Sequence, residues 1–150
     1  MAVDATSVIE IRRPRDQVAA FVEDFANDKA WIRALVQPAE VLSAEVSPWG
    51  VGARVRRIAK MAGARIDYTT EIVEYRRGET TVMKSVTGPA MVVTYSFYDS
   101  PAGTTVQVRN QGAGGVMFTM FGWMMSRMVK SRVDGDLWQL KQVLETDTSS

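Results

Sequence analysis

The 150 residues include no histidine and no cysteine. Proton transfer is therefore left to carboxylates, tyrosines and lysines. Serine–histidine and cysteine–histidine nucleophilic chemistry is excluded, as are zinc sites built on imidazole or thiolate. No metal and no cofactor is called for. What remains is a set of polar side chains in step with apolar ones. Tyr68 and Thr70 alternate with Ile66 and Ile72, Tyr95 with Phe97, and Arg57 with Val55. Residues two apart share a face of an extended chain, so each set points one way. A tyrosine hydroxyl on an inward face either finds a partner in the core or orients a carbonyl or hydroxyl of a bound molecule. An inward arginine needs an anion or carboxylate, unless it lies near a strand end and its head reaches water. Trp31 is either a lip of the same cavity or a core residue.

The acids point elsewhere. Asp67 and Glu71 share the opposite face from Tyr68, with Thr69 and Val73, and that mostly polar face is expected to see water. Glu74 falls near a strand end. Asp134 and Asp136 stand among basic residues, and surface charge pairing accounts for both. Arg54, Arg56 and Lys60 alternate onto an outer face, a solvated or charge-protected surface. No aromatic residues interleave with them, and the formal net charge is only +1. Nucleic acid is therefore not an expected partner.

The elements that must position these side chains follow from periodicity. Val3 to Ile11 alternates as a strand with Ser7, Ile9 and Ile11 on its core face. Pro14 and Asp16 open a helix carrying Val18, Phe21, Val22 and Phe25, and a short second helix carries Trp31, Ile32 and Leu35. Six further strands are expected at 41–46, 53–61, 65–75, 80–87, 91–98 and 104–111, with Ser47 to Gly52 as turn chemistry. Short turns make that run antiparallel. A long helix over 114–145 closes the chain. Val129, Val133, Leu137, Leu140 and Leu144 form one apolar stripe along its second half. The first half is apolar on most sides, and five of the nine methionines fall between 117 and 128. Flexible, polarizable methionines fill cores and line adaptable binding surfaces. Phe118, Phe121 and Met125 are the candidate cavity wall, and Gly122 leaves room on the core stripe. Residues 111–126 are uncharged but fall short of the ~20 needed to span a bilayer, so no stable membrane insertion is expected. The N-terminus has no signal-peptide core, and the lack of cysteine fits a reducing, cytoplasmic setting. One domain over 1–145 with a disordered tail, 146–150, suits the length.

The order of strand, two short helices, six strands and long helix resembles the helix-grip fold. The segments agree. The first strand with Arg13-Pro14, then Val18, Phe21, Asp24 and Trp31, resembles the opening of the polyketide cyclase/dehydrase and lipid-transport family of the START-like (SRPBCC, Bet v 1-like) superfamily. Gly50-Val51-Gly52-Ala53-Arg54, Gly103-Thr104-Thr105-Val106 and Leu137 to Glu145 resemble later parts of the same family. The resemblance implies an α+β protein: an antiparallel sheet of about seven strands wrapped around the C-terminal helix, with a cavity between them. It carries no catalytic motif. Binding or transport of a lipid or polyketide-like molecule, by a bacterial-type monomer or homodimer, is the leading expectation. The expected ligand-binding residues are Trp31, Val55, Arg57, Tyr68, Thr70, Tyr95, Phe97, Phe118, Phe121 and Met125. A cyclase or dehydratase acting in the same cavity is the enzyme alternative. An interaction module dimerising or docking on membrane through 116–128 is the third.

Overall fold

Alternation in the first strand and in the last brings the two ends of the sheet run together. The computed structural model describes residues 3–43, 49–61, 63–112 and 116–146, the side chains of 61 and 116–123 excepted. Strand β1 (Val3–Ile11) leads to helix α1 (Arg15–Val22), a 3-10 turn (Phe25–Asn27) and helix α2 (Asp28–Trp31). Then come β2 (Glu40–Val41), β3 (Arg54–Met61), β4 (Ala64–Arg76), β5 (Thr80–Thr87), β6 (Met91–Ser100), β7 (Gly103–Gly112) and helix α3 (Val116–Thr146). The seven strands form one sheet in the order β1-β7-β6-β5-β4-β3-β2. Every neighbouring pair is antiparallel. This is the helix-grip architecture.

Strand parity sets the core face. Val3, Ala5, Ser7 and Ile11 are buried from β1, and Val55, Arg57 and Ala59 from β3. Tyr95 and Phe97 are buried from β6, and Val106 and Val108 from β7. On the outer face Arg54 pairs with Glu71 at 2.7 Å, and Arg56 donates to Asp67 at 2.9 Å. Thr69 departs from the expected water-facing set, because it is buried. The β4–β5 register shifts between Thr69 and Thr70, so strict alternation fails there. Of the strand expected at 41–46, Val41 lies in a strand and 42–43 do not. Among the described residues the strand pairing with β3 covers Glu40–Val41, flanked by Leu42 N–H donating to the Arg54 carbonyl at 2.8 Å and Val36 N–H to the Ile58 carbonyl at 3.0 Å. Residues 44–48 lie outside the described set.

Helix α3 lies along the free edge of β1 and runs in the same direction. Asp4 N–H donates to Ser126 Oγ at 3.1 Å. Arg12 N–H donates to Glu145 Oε2 at 2.9 Å, and Lys141 Nζ to the Glu10 carbonyl at 2.8 Å. Asp4, Glu10 and Arg12 share one parity, whose backbone groups face away from β7. Side chains of α3 thus satisfy an edge that would otherwise stay open. Leu137, Leu140 and Leu144 enter one core with Ile11, Val18, Val22, Phe97 and Val106, and Val133 packs against it. The helix continues through Thr146, and residues 147–150 of the expected tail lie outside the described set. No helix among the described residues is long and apolar enough to cross a membrane.

The two faces of α3 should therefore respond differently to truncation. Leu140 is fully buried and Trp138 is 56% exposed. Leu140→Ala should cost about 2–5 kcal/mol, and Trp138→Ala should stay within about 0.5 kcal/mol. Urea unfolding at neutral pH measures both.

Candidate functional site

Three strands and one short helical segment bring polar groups onto the inner face. In the β3–β4 register, Arg57 stands opposite Tyr68 and Val55 opposite Thr70. Asp24 caps the 3-10 turn by accepting from Ala26 N–H at 3.0 Å. That turn carries Phe25 into the core and starts α2 with Asp28 pointing inward. Asp28 and Arg57 then form an ion pair that is 1% and 3% exposed. Arg57 Nη2 lies 2.8 Å and Nε 2.9 Å from Asp28 Oδ2. Arg57 Nη1 donates to Thr70 Oγ1 at 2.9 Å, and the guanidinium carbon sits 5.4 Å from the centre of the Phe25 ring. The anion that an inward arginine needs is thus supplied by the protein, through the first residue of α2.

Burial pushes the Asp28 carboxyl above its ordinary range, against the pull of Arg57. Burial also opposes charge on Arg57, but Asp28, Tyr95 and Tyr68 together outweigh it and the guanidinium stays protonated. Asp28 Oδ1 and Trp31 Nε1 are buried with no hydrogen-bond partner among the described residues.

Aromatic rings surround the pair. Phe25 and Trp49 lie 4.4 Å apart, Trp49 and Tyr95 6.4 Å, and Trp31 and Tyr95 5.9 Å in an edge-on contact. Trp49 Nε1 donates to Thr81 Oγ1 at 3.1 Å. In sequence Trp49 looks like turn chemistry; in the fold it is core. Burial raises the Tyr95 hydroxyl pKa, with Arg57 opposing, and it raises that of Tyr68 in the same way. Both are therefore neutral phenols, each able to donate and to accept. Neither hydroxyl is hydrogen-bonded among the described residues. Gly88 allows the sheet to close over Tyr68: its φ is +86°, and a Cβ there would lie 2.7 Å from Tyr68 Cβ.

From the other side, α3 contributes Asp136. Surface charge pairing describes Asp134, which binds Lys130 at 3.0 Å, but it does not describe Asp136, which is only 5% exposed. The segment after α2 folds over it, and Arg33 N–H donates to Asp136 Oδ1 at 3.1 Å. Burial raises this carboxyl to about 6, while the Arg33 N–H bond and the charges of Arg132 and Arg33 pull it down. The fields of Arg57, Asp28 and Asp136 all reach Tyr68 and Tyr95. Both tyrosines thus lie within electrostatic reach of the Asp28–Arg57 pair and of Asp136.

Among the described residues α3 packs mainly on β1, and next on α2. Two adjoining hollows flank it. One, of about 480 Å³, is lined by Met124, Arg127, Met128, Ser131 and Arg132. The other, of about 300 Å³, is lined by Arg33, Ala34, Ser131, Arg132, Gly135 and Asp136. Of the residues singled out in sequence, Trp31, Val55, Arg57, Thr70, Tyr95 and Phe97 are buried, while Tyr68 and Met125 are half-buried. Arg57, Tyr68, Thr70, Tyr95 and Trp31 are brought together. The side chains of Phe118 and Phe121 lie outside the described residues, as do the surroundings of Gly122. The sequence does not single out Asp28 or Trp49, and in it Asp136 reads as surface charge. No short-range pattern marks them, because their partners are 29, 32 and 103 residues away. No group of three or more acids that could hold a metal occurs among the described residues.

A family model described as polyketide cyclase / dehydrase and lipid transport matches residues 2–145. A crystal structure of a Thermus thermophilus protein superposes with a TM-score of 0.79 at 18% identity, covering 97% of this chain and 99% of that one. A Nitrosomonas europaea protein gives 0.74 at 13% identity, covering 99% and 98%. A Staphylococcus aureus protein of unknown function gives 0.73 at 12% identity, covering 99% and 96%. At these identities the likeness shows the fold alone. No curated protein matches the chain.

Two outcomes follow from the charges. Arg57→Met leaves Asp28 alone in the core and should cost about 3–5 kcal/mol, whereas Asp28→Leu with Arg57→Met should cost less; urea unfolding at pH 7 compares them. Asp136 has a folded pKa of about 6 against an ordinary 3.8. A carboxyl raised by folding penalises the fold at neutral pH, and the penalty is relieved as pH falls from about 6 toward 4. Asp136→Asn should therefore be more stable than wild type at pH 7.5, with the gap closing by pH 4. Parallel thermal unfolding across that range measures the gap.

Proposed function

Since the chain belongs to the polyketide cyclase/dehydrase and lipid-transport family, we propose that it binds a small, mostly hydrophobic molecule between the inner face of the sheet and α3. The observation that carries this is the pair of neutral phenols, Tyr68 and Tyr95. They stand among apolar side chains on the inner face, and neither hydroxyl has a protein partner among the described residues. A tyrosine hydroxyl set among apolar side chains favours a hydrogen-bond partner, and a ligand carbonyl or hydroxyl would supply one. Val55, Phe97, Trp31 and Met125 would supply apolar contact, with Phe118 and Phe121 proposed as further wall. Thr70 and Arg57 would act differently. Each already has a protein partner in the other, and Arg57 is also bound to Asp28. Their part would be to fix the floor and to shape the field that the ligand meets. A lipid or a polyketide-like molecule fits this mixture of apolar surface and few polar points.

A second reading draws on Asp136. Its carboxyl, raised to about 6, is matched to proton transfer near neutral pH, and its field reaches both tyrosines. A cyclase or dehydratase would use it as acid or base on a substrate held in a reactive fold. Asp136→Asn would then abolish turnover while leaving binding intact, and binding without any turnover in wild type would leave the binder alone.

Native mass spectrometry of the purified protein should reveal a co-purifying small molecule, or a thermal shift should appear with lipids or polyketide-like compounds. Tyr95→Phe should change stability by less than about 0.5 kcal/mol, since no protein hydrogen bond is lost. It should weaken ligand binding by about fivefold, one hydrogen bond's worth. A Tyr95→Phe protein that binds as tightly as wild type contradicts this role.

A further inference from the structure

The two hollows beside α3 share Ser131 and Arg132 and so form one groove. From Met124 to Asp136 it follows the helix for about 18 Å. Arg127 lines the first hollow, Arg33 the second and Arg132 both. Among the described residues none of the three is in an ion pair, although eight such pairs occur elsewhere. The one carboxylate in the lining, Asp136, is buried and accepts from Arg33 N–H, so the groove is net positive. Its other end is apolar: Met124 and Met128, one helical turn apart, are 42% and 53% exposed. Gly135 fits the same picture. A mid-helix glycine costs about 1 kcal/mol against alanine, and here a Cβ would sit 3.2 Å from Arg33 Nη1. The glycine lets the Arg33 head lie across the helix, over the groove.

We propose that this groove binds a single carboxylate-bearing amphiphile, its anionic end held by Arg33, Arg127 and Arg132 and its chain lying over Met124 and Met128. Guanidinium groups pair with a carboxylate through two parallel N–H donors, which gives both strength and direction. Asp136 lines the groove at the end away from Met124 and Met128, and its charge reaches Tyr68 and Tyr95, so the groove lies beside the inner-face site. This rests on the ligand-binding reading above and narrows the ligand to an acid.

Fluorescence titration with 11-(dansylamino)undecanoic acid and its methyl ester at pH 8 tests it. The acid should bind about tenfold more tightly than the ester, which corresponds to one charge-assisted contact. The triple variant Arg33→Gln, Arg127→Gln, Arg132→Gln should bind the two alike, at the affinity of the ester. Gly135→Ala keeps every charge but displaces Arg33, and should weaken the acid about threefold and leave the ester unchanged. Equal binding of acid and ester to wild type overturns the proposal and leaves the ligand-binding reading standing. So does sedimentation with phosphatidylglycerol vesicles when acid and ester do not differ, because the arginines would then serve a membrane surface. If neither probe binds and no lipid or polyketide-like compound shifts the melting temperature, the ligand-binding reading itself fails.

Discussion

An edge strand exposes a row of unpaired amide and carbonyl groups, and β1 is such an edge. Its inner partner is β7; its outer partner is a helix. Ser126, Lys141 and Glu145 meet the backbone of Asp4, Glu10 and Arg12, so α3 is tied to one side of the sheet. From that position its buried leucines complete the core over β1 and β7. Its Asp136 flank turns toward α2 and the segment after it. The placement of the helix thus determines which strands it covers closely and which face it across a ring of polar side chains.

The Asp28–Arg57 pair does the complementary work on the other side. Two desolvated charges are costly, and the pair holds because Thr70 and the Phe25 ring occupy the remaining faces of the guanidinium. It fastens the start of α2 to β3, more than halfway across the sheet from β1. With α3 anchored at one edge and α2 anchored by this pair, Trp31, Tyr95 and Tyr68 are held between them. The aromatic stack from Phe25 through Trp49 to Tyr95 stiffens that arrangement. The cost of burying charge is thereby coupled to the geometry of the region proposed to receive a ligand.

Much of this was legible in the chain. Alternation in β1 and β7, and more loosely in β3 and β6 where Ile58 and Ser96 are also buried, placed the inner face, and the Leu137, Leu140, Leu144 spacing placed the core side of α3. Tyr68, Tyr95 and Arg57 were recognisable because a polar residue in step with apolar ones is anomalous on an inward face. What escaped was non-local. Nothing near Asp28 says that Arg57 will reach it, and nothing near Asp136 says that a loop a hundred residues earlier will cover it. Thr69 was misplaced because a register shift between two strands cannot be seen from one of them. Trp49 followed Pro48 and preceded Gly50, so its turn neighbours masked an aromatic that the core required.

The central claim is that a ligand lies on the inner face of the sheet, between it and α3. Isotope-edited NOE spectroscopy with methyl-labelled protein and an unlabelled acyl-chain ligand tests it most directly. The account predicts contacts from the chain to Val55, Met83 and Met125 methyls. Contacts confined to outward methyls such as Val73 and Val86, or a bound ligand giving none to the inner face, would contradict it.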